Sequence, residues 1–362
     1  TAIVEPGLGI RDRLRVATQR LSGDVPSRTV YVHMGWTRGP DGKWVYLHAG
    51  GAIGEKGPVL EVETALPTPL HLYSLSMPPS GGRCAECWAS IQELLGLASP
   101  RVMFTLLAAA CRSVLGDTDF TLHLVGPSGT FKTETAALVQ AFWGAGLDAR
   151  HLPGSWSSTG NSLEALAFAA KDAVLVVDDF APSGSSNDIQ RYHREADRIL
   201  RAQGNRSGRG RLRPDGTLVP ARPPRGLILS TGEDIPSGHS LRARMLVVEF
   251  GPGDVCTDVL TKSQKAAAGG SYAEFLAGFV QWIAPQFESV RKRVQERAVE
   301  LRLHRTGRHA RTAAITAELQ AGFELLLEYV ASSTAASEQE VEELRGACWK
   351  AVNETATRQA DT

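Results

Sequence analysis

Hydrophobic residues alternate with polar residues at the start of the chain, as they do in half-buried strands. Residues 31–36 and 43–48 are rich in aromatic and β-branched side chains and flank Asp41-Gly42, a pair typical of hairpin turns. This pattern predicts antiparallel strands, with shorter strand-like pieces between prolines over residues 59–75. The proline and glycine run at residues 78–82 is expected to end the β-rich region.

Strand and helix patterns alternate in the middle of the chain. Helical periodicity covers residues 87–115, with a break at Pro100. Short apolar runs predict strands at residues 120–125, 173–177, 226–230 and 245–250, and helical patterns lie between them at residues 161–170 and 189–203. Alternation of this kind predicts an α/β fold with a three-layer sandwich around a mainly parallel sheet.

The remainder, from Ser271, has helical periodicity with breaks near Thr306-Gly307 and residues 332–337. We therefore expect three domains: a β-rich domain at residues 1–80, a core at 81–255 and a helical region at 256–362.

Composition is that of a soluble globular protein, with 43% hydrophobic and 22% charged residues. No apolar run is long enough for a membrane span and no signal-peptide layout opens the chain, so a cytoplasmic location without membrane attachment is expected. Five scattered cysteines do not form a disulfide framework. Cys84 and Cys87 have ligand-like spacing, but no second pair follows nearby, which favours two ordinary thiols near the start of a helix.

A glycine-rich segment between a predicted strand and a predicted helix has the pattern of a phosphate-binding loop. Its residues are Gly126, Pro127, Ser128, Gly129, Thr130, Phe131, Lys132 and Thr133. Such a loop directs backbone N–H groups at phosphate oxygens, Lys132 would reach the terminal phosphates of ATP, and the Thr133 hydroxyl would bind Mg²⁺. The alternative is an ordinary strand-to-helix turn followed by a coincidental Lys-Thr.

Phe131 departs from the standard pattern, which has glycine immediately before the lysine. We expect Phe131 to lie in the first helical turn, where φ is negative and a side chain is tolerated.

Carboxylates follow the next apolar strand. Asp178 and Asp179 come 46 and 47 residues after Lys132, a separation that suits a sheet with a phosphate loop. Asp178 would order the Mg²⁺ shell and Asp179 would polarise the attacking water as a general base. Thr231, with Ser230 as the near alternative, would sense the γ-phosphate at the end of the following strand.

Two arginines precede the last predicted strand. Arg242 or Arg244 could stabilise charge on the transferred phosphoryl group of a neighbouring subunit. Strand-like alternation would direct both side chains the same way, and we favour Arg244. A solvated surface role is the alternative for either residue.

The stretch between Arg191 and Gly226 contains ten arginines and three acids. Within it, residues 209–213 and 217–222 flank Asp215-Gly216, a second hairpin signal. An arginine-rich hairpin can grip a phosphodiester backbone without reading bases. The residues expected to contact nucleic acid are Arg206, Arg209, Arg211 and Arg213. A solvated loop, or arginines paired with a neighbouring subunit, is the alternative. The basic stretch at residues 291–311 is interpreted as a charged helix face.

Taken in order, the motifs resemble the family called domain of unknown function 927, found in mobile-element and phage-related bacterial proteins. The resemblance covers roughly residues 28–260 and rests on Gly35-Trp36, residues 46–53, the phosphate loop, residues 156–161, 177–180, 201–205 and 230–233.

Members of that family are similar to AAA+ ATPases such as minichromosome-maintenance and superfamily 3 helicases. The resemblance implies a hexamer-type ring with ATP between subunits, a pore hairpin at Asp215-Gly216 and an arginine acting across the interface. Thr159 and Asn161 also recur in such proteins, as part of a buried turn or a nucleotide-proximal contact.

The sequence therefore predicts an ATPase that translocates on DNA as a replicative helicase of a mobile element, and single-stranded DNA is the expected form. The alternatives are an ATP-dependent switch or loader that remodels a protein, and a nucleotide-binding scaffold without hydrolysis. Residues 28–77 could form a DNA-binding collar, an oligomerisation surface or a contact to a primase.

Overall fold

The computed structural model describes residues 7–23, 28–303, 310–334 and 336–361. Two compact units make up the chain, Thr1–Val30 and Tyr31–Thr362. The first unit contains helix α1, Ile10–Leu21, which the sequence pattern did not predict and which has no buried residue. Both expected domain boundaries, after residues 80 and 255, fall inside the second unit. The break expected at Thr306-Gly307 lies outside the described residues.

The β-rich region is an antiparallel meander, as predicted. Its strands are β1 (Val30–Tyr31), β2 (Gly35–Arg38), β3 (Trp44–His48), β4 (Gly51–Gly54), β5 (Gly57–Pro58) and β6 (Glu63–Thr64). Strands β2 to β5 pair in chain order, and the Gly39 N–H donates to the Lys43 carbonyl at 2.8 Å across the predicted turn. Residues 59–75 contain less strand than expected, only β6 and a short 3-10 turn at Thr68–Leu70.

The predicted α/β region is confirmed as a five-stranded parallel sheet with helices around it. Its helices are α2 (Gly82–Leu95), α3 (Pro100–Ser113), α4 (Lys132–Gln140), α5 (Gly160–Ala169), α6 (Ser186–Asn205) and α7 (His239–Arg242). Its sheet strands are β7 (Thr121–Val125), β8 (Gly154–Ser155), β9 (Val174–Phe180), β12 (Leu227–Gly232) and β13 (Met245–Glu249). The sheet order is β13-β7-β12-β9-β8, and every neighbouring pair is parallel.

The order of the strands brings three sequence motifs together. Strands β7, β12 and β9 are neighbours in the middle of the sheet, and nearly all of their residues are buried because helices cover both faces. The carboxyl-terminal ends of parallel strands lie on the same side of the sheet. The residues after β7, at the end of β9 and at the end of β12 therefore lie side by side.

In the described part of the chain, five helices follow the sheet: α8 (Thr257–Ala268), α9 (Ser271–Ile283), α10 (Phe287–Leu303), α11 (Ala310–Ser333) and α12 (Glu338–Asp361). Helices α11 and α12 pack against α3, and α10 packs on α11. Arg293 and Arg297 on α10 form ion pairs with Glu328 and Glu324 on α11, consistent with the charged helix face expected here. Within the described residues, no helix combines the length and hydropathy needed to cross a membrane.

A buried aspartate joins the β meander to the sheet. The Trp36 N–H donates to the Asp172 carboxylate at 2.9 Å, and the Tyr46 hydroxyl donates to the Asp172 carbonyl at 2.7 Å. A Cβ at Gly35, whose φ is +84°, would collide with the Lys171 carbonyl and Asp172, so the glycine of the Gly-Trp motif permits this close approach. Burial raises the pKa of Asp172, opposed mainly by the ammonium of Lys171.

Candidate nucleotide site

The loop between β7 and α4 curls around a small cavity. Gly129 has φ +80°, a left-handed conformation that favours glycine. A Cβ at Gly126 would collide with the Phe250 carbonyl, so only glycine allows the loop to pass the end of β13. The loop then enters α4 at Lys132, where unpaired N–H groups and the helix dipole favour an anion.

Phe131 does not lie in the first helical turn, and the expectation of a negative φ is wrong. It is the residue before α4 and has φ +60° and ψ +23°, the left-handed conformation that the standard glycine would adopt. The loop therefore keeps the backbone of the motif although the side chain has changed. Phe131 is 41% exposed, so its side chain is only partly packed.

Lys132 extends across the loop rather than into solvent. Its Nζ donates to the Pro127 carbonyl at 2.7 Å and to the Thr130 hydroxyl at 3.2 Å. Desolvation lowers the pKa of Lys132, whereas the carboxylates of Glu233, Asp178 and Asp179 oppose the shift. A phosphate could replace the carbonyl as the acceptor of this buried ammonium group.

Asp178 is the point where three elements of the site meet. Its Oδ1 accepts hydrogen bonds from the Thr133 hydroxyl on α4, at 2.9 Å, and from the Thr231 hydroxyl on β12. The predicted loop threonine, the first acid and the predicted γ-phosphate sensor are thus linked through one carboxylate oxygen.

Asp179 has a different environment from Asp178. It is exposed and has φ +68°, a conformation that is uncommon for a residue with a side chain and that recurs at functional sites. Its N–H donates to the Thr231 hydroxyl at 3.2 Å. The carboxylate lines the same cavity as Lys132 and Thr133, where a bound water could lie within reach.

Ser230, the near alternative to Thr231, points into the core instead. Its Oγ accepts from Trp156 Nε1 at 2.9 Å and lies 2.9 Å from His123 Nδ1. The other ring nitrogen of His123 lies 2.9 Å from the Asp234 carbonyl oxygen, so the histidine bridges Ser230 and the segment after β12. Desolvation lowers the pKa of His123 to about 4.

The cavity between the loop and the strand ends measures about 240 Å³ and is strongly acidic apart from Lys132. Its charged lining residues are Lys132, Glu134, Asp179 and Glu233. Within the described residues, no group of three or more histidine, cysteine or acidic side chains could hold a metal ion by itself. Thr133 and Asp178 still offer the hard oxygen ligands that Mg²⁺ prefers, and Mg²⁺ commonly takes its other ligands from phosphates and water.

Arg242 and Arg244 precede β13 and lie at the amino-terminal ends of the sheet strands, whereas this cavity lies at the carboxyl-terminal ends. Arg242 closes α7, so strand-like alternation does not relate the two side chains as we expected. Arg244 is half-buried, donating to Asn205 Oδ1 at 2.8 Å and to the Ser240 hydroxyl at 2.6 Å. The Arg242 side chain is exposed. A five-residue strand spans roughly 16 Å, so neither arginine is near the cavity of its own chain.

The basic stretch forms a short antiparallel hairpin of β10 (Arg211–Leu212) and β11 (Leu218–Val219), with shorter strands than predicted. Arg211 donates to the Glu164 carboxylate on α5 at 2.7 Å, and Arg206 binds the Asp117 carbonyl at the base of the hairpin. Arg213 donates to the Thr217 hydroxyl at 3.4 Å. Arg209 is exposed, and no partner for it occurs in the described part of the chain.

Thr159 and Asn161 both lie at the start of α5. The Thr159 hydroxyl caps α5 by accepting from the Ser162 N–H at 3.3 Å. Asn161 Oδ1 accepts from Arg211 at 3.1 Å and so helps to tether the hairpin. Both residues are exposed, so they form a helix start and not the buried turn, and the nucleotide-proximal contact stays a prediction.

Sequence reasoning missed the roles of Gln203 and Asn205. The buried Gln203 amide donates to the carbonyls of Thr118 and Gly226, and Asn205 binds Arg244. A Cβ at Gly204 would collide with the Arg244 side chain. The motif at residues 201–205 was visible in the sequence, but its spacing did not indicate that it packs against Arg244.

Cys84 and Cys87 are buried free thiols near the start of α2, where the sequence placed them. Burial raises the pKa of Cys87 to about 11, which disfavours the thiolate that a metal would need.

One known family matches the middle of the chain. Residues 68–218 match the family described as Domain of unknown function (DUF927), so the chain carries this domain. The match confirms the family inferred from the motifs, over a shorter range. Three of those motifs, Gly35-Trp36 and the segments at 46–53 and 230–233, lie outside it. No curated protein matches the chain.

Solved structures of other proteins have a similar fold. The structure titled "SCCmec type IV Cch - active helicase" has a TM-score of 0.61 at 15% identity, and the alignment covers 97% of this chain and 64% of that one. This chain thus spans less than two thirds of the length of that protein. Two further structures match with lower scores. The apo structure of the NrS-1 C-terminal region has a TM-score of 0.35 at 14% identity, and the alignment covers 96% of this chain and 80% of that one. The structure of an inhibitor bound to JCV helicase has a TM-score of 0.32 at 12% identity, and the alignment covers 66% of this chain and 65% of that one.

Proposed function

We propose that this chain, which carries a domain of unknown function 927 at residues 68–218, is an ATP-hydrolysing motor that forms a ring and translocates on DNA. A replicative helicase of a mobile element is the form of this activity that the family resemblance favours. One observation carries the ATPase proposal: Asp178 Oδ1 accepts from both Thr133 and Thr231, which unites the loop, the acidic strand and the sensor strand.

The chemistry follows from the positions of these groups. The loop N–H groups and Lys132 would hold the β- and γ-phosphates, while Thr133 and Asp178 would hold Mg²⁺. When bound, Mg²⁺ would neutralise charge on the phosphate oxygens. Asp179 would accept a proton from the attacking water, and Thr231 would orient that water or contact the γ-phosphate.

The charge of the cavity supports a ring. Lys132 is the only cation among its lining residues, against the acids Glu134, Asp179 and Glu233. Transfer of a phosphoryl group develops negative charge that such a site stabilises poorly. Arg242 or Arg244 of a second copy would complete the site, because both lie at the far edge of their own sheet. Arg242 is the better candidate, since Arg244 is bound to Asn205 and Ser240 within its own chain.

DNA binding is supported by the hairpin and the basic stretch around it. Arg209 and Arg213 are exposed, with no acidic partner in the described residues, and would pair with phosphates. Arg206 and Arg211 would contribute only if they left Asp117 and Glu164.

The ATPase proposal is tested by Asp179→Asn, with the exposed Asp148→Asn as the matched control. Loss of a general base is expected to lower the rate of ATP hydrolysis by about 100-fold or more while binding of a fluorescent ATP analogue persists. Hydrolysis unchanged in Asp179→Asn, or absent from the wild-type protein, would contradict the proposal.

A protein-remodelling switch or loader is the second candidate. The ion pair between Arg211 and Glu164 favours it to some extent, because it demonstrates that a hairpin arginine can bind a protein carboxylate. Strand displacement on a forked DNA substrate separates the two candidates, since only a helicase displaces the strand.

A further inference from the structure

Two leucines at the tip of the hairpin are exposed side by side. Leu212 and Leu218 are directly opposite each other in the β10–β11 pair, and they are 69% and 72% exposed. Opposed residues of an antiparallel pair lie on one face with their side chains in contact range. The pair thus forms a small apolar surface on an otherwise polar hairpin.

The opposite face of the hairpin is turned toward α5. Side chains alternate between faces along a strand, so Arg211 and Val219 lie on the face that Leu212 and Leu218 do not share. Arg211 is bound to Glu164 and Asn161 on α5. The leucine face is therefore directed away from α5.

Charge around the leucines indicates what could cover them. Residues 209–222 contain four arginines and a single acid, Asp215, whose carboxylate is already bound by the Thr217 N–H and hydroxyl. A hairpin of net positive charge attracts a polyanion and repels the same hairpin of another copy. An occupant that combines negative charge with exposed apolar surface is single-stranded nucleic acid, whereas duplex bases are stacked inside the helix.

We propose that Leu212 and Leu218 form a base-contacting surface that packs against unstacked nucleobases while the neighbouring arginines hold the phosphates. Apolar side chains of this size insert between base steps in other nucleic-acid-binding proteins. The surface makes the hairpin selective for single strands over duplexes, a property that arginine contacts with phosphates alone do not confer. This inference rests on the proposed binding of nucleic acid by the hairpin.

The test compares the full chain with Leu212→Thr/Leu218→Thr, which replaces each leucine with a more polar residue that favours strands. Leu60→Thr is the matched control, because Leu60 is 92% exposed and lies outside the hairpin. Fluorescence anisotropy measures the Kd for a labelled oligothymidylate, for an abasic oligomer of the same length and for a duplex. Circular dichroism and size-exclusion chromatography report folding and assembly.

We expect the double variant to bind oligothymidylate about tenfold more weakly, with abasic and duplex binding unchanged. The dependence of oligothymidylate binding on salt should also be unchanged, because the arginines that displace counterions remain. Leu60→Thr should behave as the wild-type protein.

Three results would overturn the inference. Unchanged oligothymidylate binding by the double variant would exclude base contact while leaving the proposed function intact. An equal loss for the abasic oligomer, accompanied by a change in assembly, would assign the leucines to contacts between copies. Failure of the wild-type protein to bind any of the probes would contradict the proposed function itself.

Discussion

At the scale of single residues, Phe131 is the clearest departure of this loop from its pattern. A left-handed conformation costs an L-residue on the order of 1 kcal/mol, and the partly exposed ring offsets only part of that cost by packing. Phe131→Gly should raise the free energy of unfolding by up to about 1 kcal/mol, whereas Phe131→Ala should not. Chemical denaturation measures both. A larger loss of stability in Phe131→Gly than in Phe131→Ala would show instead that the position depends on the side chain.

His123 predicts how stability changes with pH. Its pKa is near 4 in the folded protein, below the ordinary value of 6.5, so between these values the unfolded chain binds more protons. The contribution of His123 is therefore present above pH 6.5 and is lost as pH falls toward 4. A shift of this size corresponds to about 3 kcal/mol.

His123→Gln should flatten the dependence of the unfolding free energy on pH between 6.5 and 4. His48 has the same direction of shift, so part of the slope should remain. An unchanged slope in His123→Gln would mean that the histidine is not neutral and buried in solution.

At the scale of elements, the meander depends on Asp172. Asp172→Ala would leave the Trp36 N–H and the Lys171 ammonium without their buried acceptor, which should cost about 3 kcal/mol of unfolding free energy. Asp172→Asn keeps an oxygen that can accept from Trp36 and should cost less. Equal stability of Asp172→Ala and the wild-type protein in urea denaturation would contradict this role.

The elements also show how much of the fold the sequence could predict. The strands of the sheet, the hairpin around Asp41-Gly42 and the start of α3 at Pro100 follow from periodicity and turn chemistry, which are local properties. The two-residue strand β8 could not be predicted because it is too short to have a period. Helix α1 has a signal that was not used: Ile10, Leu14 and Leu21 recur at helical spacing, although none of its residues is buried.

Some residues of the candidate site could likewise be predicted from the sequence, and others could not. The loop, the acidic pair and Thr231 could be selected because strand ends and residue types identify them. The partners of the other residues could not be predicted, because they come from distant parts of the chain. Asn205 binds Arg244, Glu164 binds Arg211, and Ser230 turns inward to His123. Phe131 was misjudged because composition alone does not reveal φ, and the constraint came from the path of the loop into α4.

At the scale of the whole molecule, the account requires a site shared between copies. Arg242→Ala should lower the rate of ATP hydrolysis on the order of a thousandfold, because Lys132 is then the only cation left among the described lining residues of the cavity. Arg244→Ala should be less damaging, because Arg244 is bound within its own chain. Mixing Arg242→Ala with Lys132→Ala, each inactive alone, should restore part of the activity, since some interfaces would then contain both intact residues. Absence of restoration in assembled mixtures would indicate that the arginine does not act between copies.

The most direct test of the central claim is the rate of ATP hydrolysis with and without single-stranded DNA over a series of salt concentrations. The account predicts hydrolysis that single-stranded DNA stimulates, with stimulation that declines as salt rises because the counterions displaced from DNA by the arginines gain less entropy when the bulk salt concentration is higher. Hydrolysis at the same rate with and without DNA at every salt concentration would contradict a DNA motor.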